Sequence, residues 1–448
     1  MFLESLIYSI DNYIYGLVYF VRHLKLEEFF YYFWPFLVFD LVRYILLDVL
    51  VLLVYLPRKF LNRVKLAQAR RDFYREMPLV SVLVPGKNEG KHILRLAESL
   101  QSQTYKKFEL IIVDDGSDDD TEVICRKLER QKKIDKFIRN EVRGGKAAAA
   151  NTALCYAQGK YIVHLDADSH LADDTLELIL LPFYMDEKVG AVGGDVRVAN
   201  IFDSMATCLQ CIEYAKSISV GRTISSMFGV LRIISGAHGA FRKDILQRIH
   251  GWDVGPGLDG DITLKIRKLG FKIVHEPQAI CYTNTPVKFS KLAKQRFRWD
   301  RSMVRFRMRK HLDILLPSKG FKPLNFISSL DNIFFNFILN IKWWVYITQL
   351  ILMSTDSETV MFIFVINYLL YFLANLFEYA TACLLYAKTL RLKHLFLFIY
   401  IPLAPLYTGF FLRAVRSYAY MMELFFKVSY NDAWNPWKVS KVAKKEGL

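Results

Sequence analysis

The chain has 448 residues, of which 53% are apolar and 23% are charged. So many charges exclude a bare bundle of membrane helices, and the length allows one large water-facing domain beside several spans. The net charge of +16 does not indicate a nucleic-acid partner, because basic segments beside spans hold the cytoplasmic side and meet anionic lipid.

Two apolar runs lie near the N-terminus, at residues 5–22 and 29–56. The second is long enough to span a bilayer, and we predict N-terminal transmembrane helices over residues 1–56. An interfacial helix is the alternative for the first run. The second run carries charges near one helical face, which should meet protein rather than lipid: Asp40, Arg43 and Asp48. Residues 57–77 are a basic linker that marks this side as cytoplasmic. No cleavable signal peptide is predicted, since no basic region precedes the apolar stretch.

Short apolar strands alternate with helices over residues 78–285. Three segments read as a buried strand followed by a turn: LVSVLVP at 79–85, FELIIVDDGS at 108–117 and KYIVHLDAD at 160–168. This alternation predicts a parallel α/β sheet that binds ligands at the carboxyl ends of its strands. Two acidic clusters follow such strands, so we expect them to share one edge of the sheet.

The six cysteines form no framework of spacings, which suits a reducing cytoplasm. Cys208 and Cys211 do form a C-x-x-C pair, and its surroundings read as a helix. No second pair lies at zinc spacing, so we interpret these two cysteines as part of a packed helix face rather than a metal or redox site.

Residues 286–322 combine Lys, Arg and aromatic residues with apolar residues at helical spacing, which predicts amphipathic helices on the membrane face. The C-terminal transmembrane and interfacial region is placed at 323–427, with spans at about 326–353 and 359–387. Prolines 402 and 405 break its last apolar stretch. We therefore predict a bent pair or an interfacial helix there, which keeps the basic tail, residues 428–448, in the cytosol.

Asp166 and Asp168 flank one residue in the turn after the third strand segment. Two carboxylates so spaced can hold a divalent ion, or its waters, beside a diphosphate, and Mg²⁺ and Mn²⁺ favour such oxygen ligands. An ordinary polar turn is the alternative. The position at a strand end, after an earlier acidic strand end, favours the metal site.

Other polar groups are predicted to border the same pocket. Asp114 and Asp115 end the second strand and could accept hydrogen bonds from a base or ribose. Lys146, with the two glycines before it, precedes a helix, where an ammonium and backbone N–H groups suit phosphate oxygens. Three residues after the first strand could line the pocket too: Pro85, Asn88 and Glu89.

Asp259 lies in the glycine-rich stretch GPGLDGDITLKI, residues 255–266, which leads into a helix. A carboxylate there could take the proton of an attacking hydroxyl. Helix capping is the alternative role. We predict that Asp261 or Thr263 caps the helix and that Asp259 is the base, with Asp261 as its rival.

Gln295, Arg298 and Trp299 share one face of a predicted helix, because their spacing is i, i+3 and i+4. A guanidinium suits the oxygens of a departing diphosphate. The indole offers a flat surface on which a sugar ring can stack, although a membrane-anchoring aromatic is the alternative.

The ordered series V-D-D-G-S, D-A-D, a later acidic loop and Q-R-F-R-W resembles the membrane-integrated family 2 glycosyltransferases. These include hyaluronan, chitin, cellulose and poly-N-acetylglucosamine synthases. The resemblance covers residues 78–300 by motif and the whole chain by architecture. It implies an α/β, Rossmann-like cytosolic domain of GT-A type combined with N- and C-terminal transmembrane and interfacial helices, and a reaction that inverts the anomeric carbon.

The same resemblance implies roles for individual residues. Asp114 and Asp115 would contact a uridine, Asp166 and Asp168 the diphosphate and a Mg²⁺ or Mn²⁺ ion, and Asp259 would be the base. Gln295, Arg298 and Trp299 would line the donor diphosphate and the acceptor terminus. The stretch SGAHGAFR at 235–242 matches a loop near the acceptor and makes Gly236 and His238 neighbours of the growing chain, with a buried structural histidine as the alternative for His238.

Two departures from the family pattern are visible. The usual T-E-D before the base helix is here Gly257-Leu258-Asp259. The tail NDAWNPWKV resembles only loosely the gating segments of such synthases, with Trp434, Trp437 and Lys438 as candidates to close over the donor.

The predicted function is a processive membrane synthase that uses a UDP-sugar donor and conducts the growing polysaccharide outward across the lipid bilayer. It would be a multi-pass protein of the plasma (inner) membrane with a cytoplasmic catalytic domain. The alternative is an enzyme of the ceramide-glucosyltransferase type, which adds one sugar to a membrane lipid acceptor. A transporter without catalysis is disfavoured by the α/β block and its motifs.

Overall fold

The computed structural model describes residues 2–253, 255, 257–316, 321–353, 356–386 and 392–431. Its centre is one eight-stranded sheet in the order β3-β2-β1-β4-β7-β6-β8-β5. The strands are β1 Val80–Gly86, β2 Phe108–Asp114, β3 Lys136–Arg139, β4 Tyr161–Leu165, β5 Ser169–Leu171, β6 Val189–Val198, β7 His238–Arg242 and β8 Lys272–Thr283.

The first α-helices in chain order are α1 Phe2–His23, α2 Leu26–Pro35, α3 Leu47–Leu61, α4 Arg63–Glu76, α5 Gly90–Gln101, α6 Thr121–Arg130, α7 Lys146–Tyr156, α8 Thr175–Met185 and α9 Met205–Tyr214. The later ones are α10 Gly221–Met227, α11 Lys243–Arg248, α12 Leu258–Lys268, α13 Phe289–Ser302, α14 Pro323–Ile333, α15 Leu339–Met353, α16 Ser357–Leu385, α17 Ala404–Leu406 and α18 Leu412–Phe426. Segments of π-helix or 3₁₀-helix join several of them, among them Ala215–Val220, Met303–Lys310, Leu392–Leu403 and Tyr407–Phe411.

The parallel sheet predicted from the sequence forms the first half of the strand order. β1 pairs in parallel with both β2 and β4, and β2 pairs in parallel with β3. The second half is mixed, because β7 runs antiparallel to both β4 and β6. A purely parallel sheet was therefore an incomplete prediction. β7 is a short strand, and the strands that it pairs with, β4 and β6, lie far from it in the sequence.

Hydrophobic cores cover both faces of the sheet. Within β1, Val82 and Val84 pack into one core while Leu83 packs into the other, as alternating strand residues must. On the side of Leu83, helix α7 is built largely from alanines, four of which are buried. Small side chains let the α7 backbone approach β1 and β2 closely. This approach places the first turn of α7 at the sheet edge.

The C-x-x-C pair is a packed helix face, which confirms the interpretation from sequence. Cys208 and Cys211 lie on α9 and are both buried. They belong to a hydrophobic cluster that includes Tyr379 of α16 and Leu397 of the following 3₁₀ segment. The two cysteines therefore help to join the sheet domain to the C-terminal helices.

Two helical stretches of the described chain are long and apolar enough to cross a membrane by length and composition, Ser357–Leu385 and Leu392–Phe426. The first coincides with the span predicted at 359–387. In the second, 3₁₀-, π- and α-helical turns accommodate Pro402 and Pro405 in one continuous run, and the bent pair or interfacial helix preferred from the sequence stays a prediction. The runs at 29–56 and 326–353 are helices with π-helical turns, and their crossing of a membrane stays a prediction.

Candidate active site

Carboxylates from three neighbouring strands meet at one edge of the sheet. Glu89 follows β1, Asp115 follows β2 and Asp166 follows β4. These strands are adjacent and parallel, so their carboxyl ends open to the same side. The acidic clusters thus share the sheet edge at which the sequence predicted a pocket.

Asp115 fixes the glycine loop that precedes α7. One carboxylate oxygen accepts a hydrogen bond from the Gly144 N–H and the other from the Gly145 N–H, each at 2.8 Å. Only 4% of Asp115 is exposed. These contacts position Lys146, the first residue of α7, at the sheet edge. A contact of Asp115 with a uridine stays a prediction.

Asp114 shapes the turn after β2. It is 1% exposed and accepts hydrogen bonds from the backbone N–H of Ser117, at 3.0 Å, and from the Ser117 hydroxyl. The Arg139 guanidinium lies 3.5 Å from its other oxygen. Because both oxygens face protein groups, Asp114 holds the turn in place, and its predicted contact with the nucleotide stays untested.

Lys146 and Asp166 form an ion pair at the centre of the pocket, with the ammonium donating to the carboxylate. Burial alone would raise the pKa of Asp166, but Lys146 and His164 hold it below its ordinary value. Burial would lower the pKa of Lys146, yet Asp166 and Asp259 raise it. Both partners are therefore charged at neutral pH.

Asp168 and Glu89 carry unbalanced negative charge. Burial and the neighbouring Asp166 raise the pKa of Asp168 to about 6, and burial together with Asp168 raises the pKa of Glu89 to about 7. The hydrogen bonds to Asp168 are long, 3.3 Å from the Thr283 hydroxyl and 3.4 Å from the Ser169 hydroxyl. A divalent cation beside these carboxylates would relieve their repulsion, so the residues present fit such an ion.

No three His, Cys, Asp or Glu side chains in the described part of the chain converge closely enough to bind an ion by themselves. This agrees with the chemistry of Mg²⁺ and Mn²⁺ at phosphate sites, where the substrate and water complete the coordination shell. The carboxylates of Asp166 and Asp168 would then supply only part of that shell.

Helix α12 brings Asp259 into the same cluster. Burial raises the pKa of Asp259, and Lys146 and the Gly236 N–H, which hydrogen-bonds to the carboxylate, offset part of the rise. The contact with Gly236 is close, since a Cβ on residue 236 would lie 2.3 Å from Oδ1 of Asp259. A half-buried carboxylate with a raised pKa has the properties of a general base.

Asp261, the alternative to Asp259 as the base, forms hydrogen bonds with other protein side chains. It is 1% exposed and accepts a hydrogen bond from Nε2 of His311 at 2.7 Å. The ammonium of Lys310 lies 3.0 Å from its second oxygen. These contacts leave no surface on Asp261 for an acceptor hydroxyl.

The predicted cap of α12 is wrong in detail. The N-cap is Gly257, at φ 82°, and the hydroxyl of Thr263 donates instead to the carbonyl oxygen of Asp259 at 2.6 Å. The structure explains why position 257, where the family pattern T-E-D has threonine, is glycine in this chain. A Cβ there would lie 2.2 Å from Cβ of Ser302, and the left-handed backbone favours glycine.

Gln295, Arg298 and Trp299 lie on α13. The positive charge of Arg298 contributes to lowering the pKa of Asp166 at the sheet edge. The buried Oε1 of Gln295 accepts no hydrogen bond from any described residue. Trp299 is 41% exposed, and the guanidinium of Arg296 lies over its ring at 4.6 Å from the centroid.

His238 is buried at the start of β7. It has no exposed surface, and a Cβ on Gly194 would lie 2.5 Å from its Nε2. Burial and the nearby His275 lower the pKa of His238 to about 3, so the ring is neutral. This burial agrees with the alternative of a buried histidine, and the predicted acceptor contact stays a prediction. Gly236, in contrast, borders Asp259.

Arg222 of α10 is a neighbour of the site that sequence reasoning missed. Its charge opposes the rise in the pKa of Asp259. Its Nη1 atom is buried and has no hydrogen-bond partner within the described ranges. No motif surrounds Arg222 in the sequence, so only the tertiary structure identifies it. The predicted gating residues Trp434, Trp437 and Lys438 lie outside the described residues.

A second cavity, of about 620 Å³, lies among the helices beside the sheet domain. Asp40, Arg43 and Asp48 line it, which agrees with their predicted inward face. Several of its charges are paired across elements: Lys216 with Glu378 at 2.5 Å, Arg232 with Asp331 at 3.3 Å and Lys342 with Asp40 at 3.4 Å. Aromatic rings complete the wall, among them Tyr44, Phe335, Trp343 and Tyr371. The wall is thus mixed, with charged and aromatic side chains among aliphatic ones such as Leu47, Ile224 and Leu339.

Comparison with known proteins identifies the sheet domain. Residues 81–249 match the model of glycosyl transferase family 2. The chain is 31% identical over 247 residues to a poly-β-1,6-N-acetyl-D-glucosamine synthase of Staphylococcus epidermidis, covering 55% of this chain and 58% of that protein. It is 30% identical over 226 residues to the synthase of the same name from Staphylococcus aureus strain COL, covering 50% and 54%. The matches thus span less than two thirds of these relatives.

A solved structure shows the same fold. A mannosyltransferase of Pyrobaculum calidifontis, in complex with GDP-Man and Mn²⁺, superposes with a TM-score of 0.51 and 21% identity, covering 81% of this chain and 96% of that one. At this identity the likeness supports the Rossmann-like, GT-A-type architecture and nothing finer. Residues 81–249 therefore carry a domain of glycosyl transferase family 2 type on a GT-A-type fold, within a chain that is similar in sequence to polysaccharide synthases.

Proposed function

We propose that this protein is a processive, inverting membrane glycosyltransferase that builds a β-linked polysaccharide from a UDP-sugar. The observation that carries the proposal is the meeting of Asp259 with the Lys146–Asp166 pair at one sheet edge. A displacement at an anomeric carbon needs a base for the acceptor and cations for the leaving diphosphate within one pocket. This arrangement supplies both.

In the proposed reaction Asp259 accepts the proton of the acceptor hydroxyl. The hydroxyl oxygen forms a bond to the anomeric carbon from the face opposite the diphosphate, and the bond from that carbon to the UDP oxygen breaks. UDP leaves with the bonding electron pair. Lys146 and Arg298 would balance its negative charge, because both cations lower the pKa of Asp166 at the sheet edge.

A divalent ion belongs to this proposal. Asp166 and Asp168 would hold it, with Glu89 close by, and it would supply further positive charge to the diphosphate. Burial and then the neighbouring carboxylates raise the pKa values of Asp168 and Glu89, and a cation would offset both effects. Mg²⁺ and Mn²⁺ both suit oxygen ligands of this kind.

N-acetylglucosamine is the first sugar to test as the donor. The proposal rests on the sequence relatives, whose names specify a poly-β-1,6-N-acetyl-D-glucosamine product. The matches leave more than a third of those proteins uncovered, so the sugar and the linkage are part of the proposal rather than a consequence of the fold.

The cavity among the helices is the proposed passage for the polymer. Its volume of about 620 Å³ is within the range that holds a small ligand such as one or two sugar rings. Hydroxyl-rich sugars bind polar walls through hydrogen bonds and aromatic rings by stacking, and the cavity has both kinds of wall. Two apolar helices, Ser357–Leu385 and Leu392–Phe426, would cross the inner membrane, with the sheet domain in the cytoplasm.

The test is to incubate the purified full chain with Mn²⁺ or Mg²⁺ and with UDP-N-acetylglucosamine, UDP-glucose or UDP-glucuronate, singly and in pairs, and to size the product. Long chains with release of UDP support the proposal. A lipid that carries one sugar supports the ceramide-glucosyltransferase alternative instead. Asp259→Asn is the matched variant, and UDP release at the wild-type rate in that variant overturns the assignment of the base.

A further inference from the structure

We propose that Asp261, His311 and Lys310 form a clasp that positions Asp259, so that Asp261 is a positioning residue rather than a helix cap. The inference rests on the proposed function, because it takes Asp259 as the base. The clasp joins the first turn of α12 to the end of the π-helical segment Met303–Lys310. That segment directly follows α13, which carries Gln295, Arg298 and Trp299.

The clasp is a buried and fully engaged ionic cluster. Asp261 and His311 are buried and the side chain of Lys310 is 11% exposed; Asp261 accepts from His311 at 2.7 Å and from Lys310 at 3.0 Å. Burial would raise the pKa of Asp261, but His311 and Lys310 hold it below the ordinary value. Asp261 is therefore ionised at neutral pH, and breaking its contacts would leave an uncompensated buried charge.

The hydrogen bonds fix the tautomer of His311. Its Nδ1 lies 2.9 Å from the Lys268 ammonium, which can only donate, so Nδ1 is the acceptor. The proton is then on Nε2, where it points to Asp261 at 2.7 Å. Burial lowers the pKa of His311, which keeps the ring neutral at physiological pH. The ring is thus a directional link between α12 and the π-helical segment.

The loop before α12 rests on the same segment. A Cβ on Gly255 would lie 2.7 Å from the guanidinium carbon of Arg305, and Lys310 also pairs with Asp253 in that loop. Asp253 in turn accepts a hydrogen bond from Lys265 of α12 at 2.9 Å. The N-terminal end of α12 is therefore held against the π-helical segment from both sides of Asp259.

The other end of α12 has an independent anchor. Arg267 donates to the carbonyl oxygen of Gly229 at 2.9 Å and to Oδ1 of Asn325 at 3.0 Å. Removing the clasp therefore frees the first turn while the last turn stays in place. A small tilt of the first turn moves Asp259 from the acceptor, and misplacement by about 1 Å can reduce turnover about 100-fold.

The test compares Asp261→Asn and His311→Phe with His311→Gln, whose amide N–H can replace the Nε2–H donor. We expect the first two to lower kcat for UDP release from UDP-N-acetylglucosamine by about 10- to 100-fold, with KM and the affinity for UDP and Mn²⁺ unchanged. His311→Gln should recover most of the loss. Lys272→Met, which removes an exposed ion pair with Asp186, is the control and should leave all these values unchanged.

A second arm repeats His311→Phe in the Asp259→Asn background. If the clasp acts through Asp259, the residual rate of the double variant equals that of Asp259→Asn alone. A further loss in the double variant, or parallel losses of melting temperature and UDP affinity in the single variants, overturns the inference. The inference is also overturned if Asp261→Asn loses much more turnover than Asp259→Asn, because Asp261 would then be the base. Wild-type turnover in Asp259→Asn overturns the proposed function. If Asp259→Asn loses turnover but Asp261→Asn and His311→Phe remain fully active, only the clasp is overturned.

Discussion

Gly236 and Asp259 approach so closely that no side chain fits between them. A Cβ on residue 236 would lie 2.3 Å from Oδ1 and 2.9 Å from Cγ of Asp259. The absence of a side chain lets the Gly236 N–H reach the carboxylate, where it opposes the rise in pKa caused by burial. The conformation of the 235–242 loop and the placement of the base thus depend on each other.

Gly236→Ala should therefore displace Asp259. We expect kcat to fall by about tenfold or more and the free energy of unfolding to fall by about 1–3 kcal/mol, because the methyl group must push the carboxylate or the backbone aside. Gly260→Ala is the matched control, since its Cβ would meet only Ile233 at 3.9 Å. Kinetics and thermal denaturation measure both variants, and wild-type turnover in Gly236→Ala would contradict the assigned position of the base.

Lys146→Met should weaken donor binding. The ammonium of Lys146 pairs with Asp166 at the proposed donor site. Its loss would remove a charge-assisted hydrogen bond to the diphosphate worth about 1.5–3 kcal/mol, which corresponds to a rise in KM of about 10- to 100-fold. Titration calorimetry with UDP and Mn²⁺ measures the same loss in affinity. Lys160→Met removes the Lys160 pair with Glu76, far from the sheet edge, and should leave UDP affinity unchanged. Equal UDP affinity in Lys146→Met and the wild type would exclude Lys146 as a phosphate ligand.

The metal-free protein should lose stability as pH rises. Because the pKa of Asp168 is raised to about 6 and that of Glu89 to about 7, these groups bind more protons in the folded than in the unfolded state. The free energy of unfolding therefore falls as pH increases from about 4 to about 7. Thermal denaturation across this window measures the trend, and Asp168→Asn should flatten it.

Binding of Mn²⁺ should show the opposite trend. The ion requires deprotonated carboxylates, so the dissociation constant in the presence of UDP should decrease by about tenfold for each coupled proton between about pH 5.5 and about pH 7.5. Calorimetry at both pH values measures it. An affinity that does not depend on pH would show that neither Asp168 nor Glu89 lies at the metal.

Filling the cavity among the helices should shorten the product. Gly409 lines that cavity, and a Cβ added there would meet no atom within 4 Å. Gly409→Phe should therefore fold normally, release UDP at first and stop after short products, since the polymer has no passage. Ile399→Phe, at a position 72% exposed on the outside of the helices, is the control. Full-length product from Gly409→Phe would exclude the cavity as the passage.

The sequence predicted the sheet edge well, because the evidence for it is local. A buried strand followed by an acidic turn is visible within ten residues, and the parallel pairing of β1, β2 and β4 brings such turns together. The helix face of Gln295, Arg298 and Trp299 follows from helical periodicity in the same way. These predictions needed no knowledge of which distant segments meet.

The choice between Asp259 and Asp261 did need that knowledge. The two residues are two positions apart on α12, and the sequence alone left them as rivals. His311, which donates a hydrogen bond to Asp261, lies 50 residues further along the chain. His238 shows the same limit, because its burial against Gly194 depends on the pairing of β6 with β7.

The sequence by itself predicted a glycosyl transfer site, because the carboxylates, cations and strand ends that indicate it lie within short segments of the chain. Only the tertiary structure decided that the charges of Lys146 and Arg222 act on Asp259, and that charges from separate helices line one cavity. The physical reason is that pKa values, cavities and close glycine contacts depend on the distances between residues, and folding sets those distances between parts of the chain that are far apart in sequence.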